Sequence, residues 1–148
     1  MKKTKSQRIL LVLELEQRKE KASMDKLSQA RTYLDHQKDQ LSSLQTYHSQ
    51  YLQSLKTSMQ GVANMSQLHS YQGFIDQVSK AIEQQSLVVD HAQVQFDHAK
   101  DEWLGFREKC KGLADLISRY QVQERAVMEK QTERRLEDDF LARRSRSK

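Results

Sequence analysis

The chain of 148 residues contains no proline, four glycines and a single cysteine. A sheet needs turn residues, so this composition excludes a β protein and favours long helices. One cysteine cannot form an internal disulfide, which is typical of a reduced, cytosolic protein. The longest early apolar run, Ile9 to Leu13, is too short for a signal-peptide core or a membrane span, so we expect no membrane insertion.

Apolar residues recur every three or four positions from Leu68 to Val127, which is the spacing of a coiled-coil seam. Only Gln85 and Glu124 are polar among the positions of the two interleaved series. The first series is Leu68, Ile75, Ile82, Val89, Phe96, Trp103, Cys110, Ile117, Glu124, and the second is Tyr71, Val78, Gln85, Ala92, Ala99, Phe106, Leu113, Tyr120, Val127. The spacing predicts one long helix that packs on a partner helix.

A weaker seam precedes it. One series recurs every seven residues, at Leu13, Glu20, Leu27, Leu34, Leu41, His48, Leu55. The interleaved series is irregular and moves among Met24, Ala30, Leu44, Tyr51, Leu52. We therefore predict a second seam helix over residues 6–58, with its start capped either by Thr4 and Gln7 or by Ser6.

The one credible turn covers residues 59–65. Gly61 suits the end of a helix, and Asn64 with Gln67 can cap the next one, which we predict over residues 66–141. A short connection makes the helices antiparallel neighbours and brings Leu13 to the region of Cys110. The predicted fold is all-α, a long two-helix antiparallel coiled-coil hairpin forming one domain, with a basic tail at 142–148.

The second helix is predicted to extend beyond the first from about Tyr120 to Leu141. This extension is rich in charged residues at i,i+4 spacing and carries scattered apolar residues, which suggests a helix that binds a partner. A frayed, half-ordered tail is the alternative interpretation. The net charge of +5 is concentrated at the chain ends, in the neighbourhood of Ile117 to Tyr120 once the hairpin forms. Nucleic acid, an anionic membrane and an acidic protein surface all remain possible partners, and a protein is preferred because no broad basic face is present.

No pattern of catalytic or cofactor-binding residues occurs. The chain lacks a phosphate-binding loop, a His-Glu-x-x-His motif and paired cysteines. His91 and His98 are two turns apart, too far for one metal ion, and Cys110 lies on the seam without an activating base. We therefore expect no enzyme, no metal and no cofactor.

Two short stripes with the same spacing widen the seam on neighbouring stretches of the two helices. Their members are Gln40, Leu44, Tyr47, Tyr51 on the first helix and Phe74, Val78, Ala81, Gln85 on the second. An apolar stripe wider than two helices can bury is a candidate partner-binding face. A locally thickened seam is the alternative interpretation.

The block Tyr71-Gln-Gly-Phe-Ile75, followed by Val78 and Lys80-Ala-Ile-Glu-Gln84, resembles the central signature of the flagellar export protein FliJ family. The stretch Leu44-Gln-Thr-Tyr-His-Ser-Gln-Tyr51 resembles the tyrosine-bearing segment of that family. The likeness extends over essentially the whole chain in character, and the block Tyr71 to Gln84 is its specific part.

The resemblance implies a non-enzymatic component of the bacterial flagellar type III export apparatus, similar in fold to the stalk (gamma) subunit of rotary ATPases. It implies binding of the helical ends to the hexameric export ATPase, with Arg8, Arg125, Arg134 and Arg135 as candidate contacts. It further implies that the two stripes contact the cytoplasmic domain of the membrane export gate, and that the protein escorts export chaperones.

The implied location is cytoplasmic, at the inner membrane beneath the flagellum. Gln85 departs from the more interactive residue expected at its place in the gate-facing stripe. Two alternatives stay open: a stalk protein of a virulence type III secretion system, and a coiled-coil nucleic-acid-binding protein that uses the basic termini.

Overall fold

A computed structural model describes residues 2–61 and 64–147. Helix α1 spans Lys5–Gln60 and helix α2 spans Met65–Arg146. The two helices pack against each other as a helical hairpin, and the described residues contain no strand. The predicted all-α hairpin is therefore confirmed. Residues 62, 63 and 148, which belong to the predicted turn and basic tail, lie outside the described ranges.

Side-chain caps explain where both helices begin. The Thr4 amide donates to Gln7 Oε1 at 3.1 Å, and the Gln7 amide donates to Thr4 Oγ1 at 3.3 Å, so Thr4 and Gln7 form a reciprocal capping box. The Gln67 amide donates to Asn64 Oδ1 at 2.8 Å at the start of α2. The Gly61 amide donates to Ser58 O at 3.3 Å, and no described glycine has a positive φ, so α1 ends without the left-handed residue expected at Gly61.

The helices are longer than the sequence patterns predicted, above all at the C-terminal end. Residues 142–146, which were assigned to a tail, continue α2 as far as Arg146. Three arginines lie in that last turn, Arg143, Arg144 and Arg146. Positive side chains stabilise a helix C-terminus because they face the negative end of the helix dipole and its unpaired carbonyl groups.

The chain divides into two compact units. We call residues 2–22 together with 104–147 the terminal unit, and Ser23–Trp103 the central unit. In the terminal unit Ser6 contacts Glu124 and Glu16 contacts Lys109. In the central unit Gln37 contacts Gln85 and Tyr51 contacts Phe74. Residue numbers rise along α1 as they fall along α2, so each unit is an antiparallel helix pair.

The core of the terminal unit is a small cluster of buried side chains. Leu13, Cys110 and Ile117 are buried together, and Ile9 and Leu113 pack against them. The predicted proximity of Leu13 and Cys110 is confirmed. Val127, the last member of the predicted α2 seam, is 55% exposed, since α1 begins at Lys5 and the last seam contact is that of Ser6 with Glu124.

In the central unit the α1 seam differs from the predicted one. Met24 and Leu52 were assigned to it, yet both are exposed. Two polar residues, Ser23 and Gln37, are buried in this part of α1 instead. These residues keep the three–four spacing with Leu27, Ala30, Leu34 and Leu41, so the seam is regular. The prediction for this part of α1 was wrong because it assigned only apolar residues to the seam, whereas polar side chains occupy two of its regular positions.

Candidate partner-binding surfaces

The predicted gate-facing residues all belong to the central unit. We call them the tyrosine patch: Gln40, Leu44, Tyr47, Tyr51, Phe74, Val78, Ala81, Gln85. Tyr47 and Phe74 are 55% and 52% exposed, and Gln40 is exposed as well. The other five members are half-buried. Two aromatic rings thus remain accessible beside a seam that covers their neighbours.

Stacked rings join the two stripes at one end of the tyrosine patch. The Tyr51 and Phe74 ring centroids lie 5.9 Å apart, and the rings are inclined by only 13°. Offset stacking at this distance is favourable by about 0.5–1.5 kcal/mol. The stack fixes the orientation of Phe74 while leaving half of its surface exposed. Phe74 also lines a shallow groove with Tyr71 and Ser70.

A second groove joins the stripes at the other end of the patch. Gln40, Leu44 and Gln85 line it together, so three predicted patch residues converge there. Gln85 Nε2 donates to Gln37 O at 3.0 Å and to Gln37 Oε1 at 2.8 Å. Gln85, which departs from the expected residue, therefore has a definite role, because its amide crosses the seam and joins the two helices.

The same groove contains three residues that the sequence analysis missed, His36, Asp39 and Ser43. Gln40 Nε2 and His36 Nε2 lie 3.2 Å apart, and since the amide nitrogen can only donate, the ring nitrogen accepts. These residues are polar, whereas the patch was predicted from the spacing of its apolar residues. Their i−4, i−1 and i+3 spacing from Gln40 was the available signal.

Another groove of the central unit was also not anticipated. It is lined by the apolar residues Met24, Leu27, Phe96 and Trp103, with Arg31 and Lys100 among its polar lining. Three of these apolar residues, Leu27, Phe96 and Trp103, are half-buried seam residues. Their apolar character is explained by seam packing.

The candidate ATPase-binding arginines lie in the terminal unit. Arg8 Nε and Nη2 donate to Lys3 O at 3.3 and 3.2 Å, which ties the basic N-terminal residues to the first turn of α1. Arg125, Arg134 and Arg135 are exposed on α2. The charge pairs expected on this part of α2 are not formed, since no ion pair within 4 Å joins residues of the range 125–147. These arginines are thus available to an outside partner.

We call residues 125–147 the α2 extension. All its described side chains are exposed, including those of Val127, Met128, Leu136, Phe140 and Leu141. The prediction that α2 extends past its contacts with α1 is confirmed, with Glu124 as the last partly buried residue. The extension is helical throughout as far as Arg146.

Exposed apolar residues also follow the start of α1. Leu10, Leu11, Val12 and Leu15 are each exposed, although they are adjacent to the buried core residue Leu13. The seven-residue series selected only Leu13 from the run Ile9 to Leu13, so these residues had no assigned role. Leu11 and Leu15 are four residues apart and share a helix face with Arg8 and Arg18. The terminal unit therefore carries accessible apolar and basic side chains together.

A buried carboxylate lies on the seam of the terminal unit. Glu16 Oε1 lies 3.2 Å from Lys19 Nζ and 3.4 Å from Lys109 Nζ, while Glu16 Oε2 is buried with no hydrogen-bond partner. The hydrogen bond from Lys19 lowers the pKa of Glu16, burial opposes it, and Lys109 adds to the lowering. Two lysines thus hold one glutamate ionised inside the seam.

The thiol of Cys110 is buried in the same part of the seam. Burial, followed by the adjacent Glu20 carboxylate, raises the pKa of Cys110 above that of an ordinary thiol. A thiol is nucleophilic as its thiolate, so a raised pKa opposes reactivity. Cys110 contributes to packing with Leu13 and Ile117.

The described residues offer neither a metal site nor a membrane span. No group of three or more metal-ligating side chains occurs in residues 2–61 and 64–147. His91 Nε2 instead lies 3.2 Å from Gln95 Nε2. Over the same ranges neither helix contains a stretch sufficiently long and apolar to cross a bilayer.

Comparison with protein families gives one finding. The model of the family described as flagellar FliJ protein matches residues 5–148, which is essentially the whole chain. Comparison with curated proteins and with solved structures gave no significant match.

Proposed function

The chain belongs to the flagellar FliJ protein family, a non-catalytic component of the flagellar type III export apparatus, and from this premise we propose that it acts as a helical stalk for the export ATPase. In this proposal the terminal unit binds the hexameric ATPase ring and promotes its assembly and turnover. The tyrosine patch of the central unit binds the cytoplasmic domain of the membrane export gate.

The α2 extension carries the proposal. Its five large apolar side chains are exposed on a continuous helix that has no covering element among the described residues. Exposed apolar residues of this kind are typical of a surface that a partner covers. The accessible arginines Arg125, Arg134 and Arg135 add charge that can steer association with an acidic ring lining.

A stalk of this kind acts through binding alone. It favours those ring states to which it binds best, and it changes ATP hydrolysis only as far as its affinity differs between those states. The predicted effect is therefore a higher fraction of assembled hexamer together with faster hydrolysis.

The test measures ATP hydrolysis and hexamer formation by the flagellar export ATPase with the full chain and with a chain truncated after Glu124. The truncated chain retains the bond from Ser6 Oγ to Glu124 Oε2 at 2.7 Å. We expect the full chain to stimulate both properties and the truncated chain to stimulate neither. Arg31→Ala, a charge removal in the central unit, is the matched control and should stimulate normally.

Two results would contradict the ring-binding proposal. The first is an ATPase that the full chain leaves unchanged at micromolar concentration. The second is equal stimulation by the full and truncated chains, which would move the ring contact away from the α2 extension.

The gate-binding proposal depends on the two exposed rings of the tyrosine patch. Phe74→Ala combined with Tyr47→Ala should abolish binding to the gate's cytoplasmic domain, because both rings are half exposed and available for burial in an interface. The free energy of unfolding should fall by only about 0.5–1.5 kcal/mol, which is the contribution of the stacked rings of Tyr51 and Phe74. Tyr33→Ala removes an exposed ring outside the patch and should leave binding intact.

A large loss of helix stability in the double variant would show that these rings belong to the core. Retained gate binding by a folded double variant would exclude the patch as the gate contact. We extend the proposal to the escort of export chaperones and to a cytoplasmic location at the inner membrane beneath the flagellum. Both rest on membership of the FliJ family.

A further inference from the structure

The groove at the Gln40 end of the tyrosine patch presents hydrogen-bond acceptors in a fixed arrangement. It has a volume of about 460 Å³ and is lined by His36, Asp39, Gln40, Ser43, Leu44 and Gln85. That volume lies within the range of roughly 300–1,000 Å³ that is usual for sites receiving a ligand or a large side chain. What the groove can receive is decided by which of its polar atoms are already engaged.

Both glutamine amides donate hydrogen bonds inside the protein, Gln85 two and Gln40 one. Gln85 Nε2 donates to Gln37 O and Gln37 Oε1, and Gln40 Nε2 donates to the ring of His36. Each amide then offers its oxygen, which can only accept. The bonds also fix the orientation of each amide, so little conformational entropy is lost when a partner binds.

Asp39 adds the one charged side chain of the groove. It forms no ion pair within 4 Å with any described residue, so its carboxylate is not neutralised from within the protein. Ser43 adds a hydroxyl, and Leu44 provides an apolar surface between the polar groups. The groove thus combines a carboxylate and two oriented amide oxygens with one apolar contact.

We propose that this groove is a receptor for a basic side chain, an arginine or lysine, supplied by the protein that binds the tyrosine patch. A guanidinium or ammonium group has only donors, which match the acceptors of Asp39, Gln40 and Gln85. Its aliphatic stem can lie along Leu44 while the charged head reaches the carboxylate. The inference rests on the proposed binding of the export gate at this patch, and it adds the chemistry that the partner must supply there.

The two ends of the tyrosine patch contribute differently to recognition. The exposed rings of Tyr47 and Phe74 provide apolar area for affinity, and the groove at the other end selects for charge. Electrostatic contacts of this kind set the partner's orientation and its association rate, and a like charge placed at such a contact weakens binding. Asp39 is therefore a specificity determinant.

The experiment measures the affinity of the full chain for the cytoplasmic domain of the export gate, by titration calorimetry at low and high salt. Asp39→Lys should weaken binding by about tenfold or more, because a like charge replaces the carboxylate that accepts from the partner's cation. Asp39→Asn, which keeps the shape of the side chain, should weaken binding less and should reduce its salt dependence.

Asp35→Lys is the matched control. Asp35 is exposed one helical turn before Asp39 on α1 and does not line the groove. It undergoes the same change of charge, so its affinity should stay within about twofold of the unchanged protein if the effect is local. Circular dichroism of each variant checks that α1 stays helical.

The outcomes separate this inference from the proposed function. Equal affinities of Asp39→Lys and Asp35→Lys would overturn the basic-side-chain receptor. Binding that is lost in Phe74→Ala with Tyr47→Ala but retained in Asp39→Lys would overturn it while leaving the gate contact in place. An unchanged chain that does not bind the gate domain would contradict the proposed gate function, and the receptor assignment would fall with it.

Discussion

The terminal and central units both have polar groups in the seam between α1 and α2, but the two units use different kinds of polar group. In the terminal unit the polar groups are charged, with Glu16 between two lysines and Glu124 accepting from Ser6. In the central unit they are amide, hydroxyl and imidazole groups, with Gln85 donating across the seam to Gln37 and His48 Nε2 lying 3.1 Å from Ser79 Oγ. Glu16 Oε2 has no partner, whereas the Gln37 carbonyl and side-chain oxygens both do.

The difference shows how a seam keeps a single register. Apolar side chains tolerate a shift of one heptad, but a buried polar group is left unpaired by such a shift. Neutral pairs specify the register at little cost because their hydrogen bonds are complete. A buried carboxylate costs more to desolvate and depends on its lysines. The stability that Glu16 and its lysines contribute to the terminal unit therefore depends on charge and pH.

The largest predicted effect compares a buried seam residue of the terminal unit with a half-buried seam residue of the central unit. Ile117→Ala should cost about 2–4 kcal/mol, because Ile117 is buried with Leu13 and Cys110 and the cavity cannot collapse easily. Ile82→Ala, at a half-buried seam position of the central unit, should cost less. Denaturant unfolding followed by circular dichroism measures both. Equal losses would show that the difference in burial between Ile117 and Ile82 does not set the cost of truncation.

The next effect tests the neutral pair of the central unit. Gln85→Leu should cost about 1–3 kcal/mol, since it leaves Gln37 Oε1 buried without its donor. Gln37→Leu combined with Gln85→Leu should recover most of that loss, because two apolar side chains replace a complete pair. The four free energies of unfolding give the coupling energy. Additive losses would show that the pair does not specify the seam.

The helix caps predict a smaller effect that compares the starts of α1 and α2. Thr4→Ala removes one side of the capping box in the terminal unit and should cost about 1 kcal/mol. Asn64→Ala removes the corresponding bond to the Gln67 amide and should cost a similar amount. Hydrogen exchange of the first turn of each helix should rise in its own variant alone. Exchange that rises along the whole chain would mean that the caps control more than local fraying.

The smallest predicted effect is the response to acid. Hydrogen bonds from Ser6 lower the pKa of Glu124, and that from Lys19 lowers the pKa of Glu16. A lowered pKa in the folded state adds stability above the pKa of the unfolded chain, and this stability is lost as pH falls through the folded value. Hydrogen exchange in acid should therefore rise first in α1 residues 6–20. Glu124→Gln should reduce that response, and a response centred on residues 30–55 would contradict it.

The α2 seam could be predicted almost completely from the sequence. From Leu68 to Glu124 every position of the two series is buried or half-buried, including the polar Gln85 and Glu124. The α1 seam could be predicted only where it is apolar. Glu16, Ser23 and Gln37 are buried seam residues that no apolar pattern could select.

The candidate surfaces divide in the same way. Spacing on two helices was sufficient to bring Gln40, Leu44 and Gln85 to one groove and Tyr51 to Phe74. His36, Asp39 and Ser43 were missed because their place in the groove depends on which way α1 faces α2. Leu11 and Leu15 were missed for the converse reason, since an apolar run contains more residues than one seam can bury.

The sequence by itself determined two capped helices, one reversal of direction and the set of α2 residues that lie on the seam. Local caps and a repeating apolar spacing fix these features without reference to distant residues. The tertiary structure alone decided which polar side chains are buried and which apolar ones stay exposed. Burial depends on the residue that faces each position from the other helix. Glu16 is buried because Lys109 faces it from α2. Val127 is exposed because α1 begins only at Lys5, so no residue of α1 faces Val127.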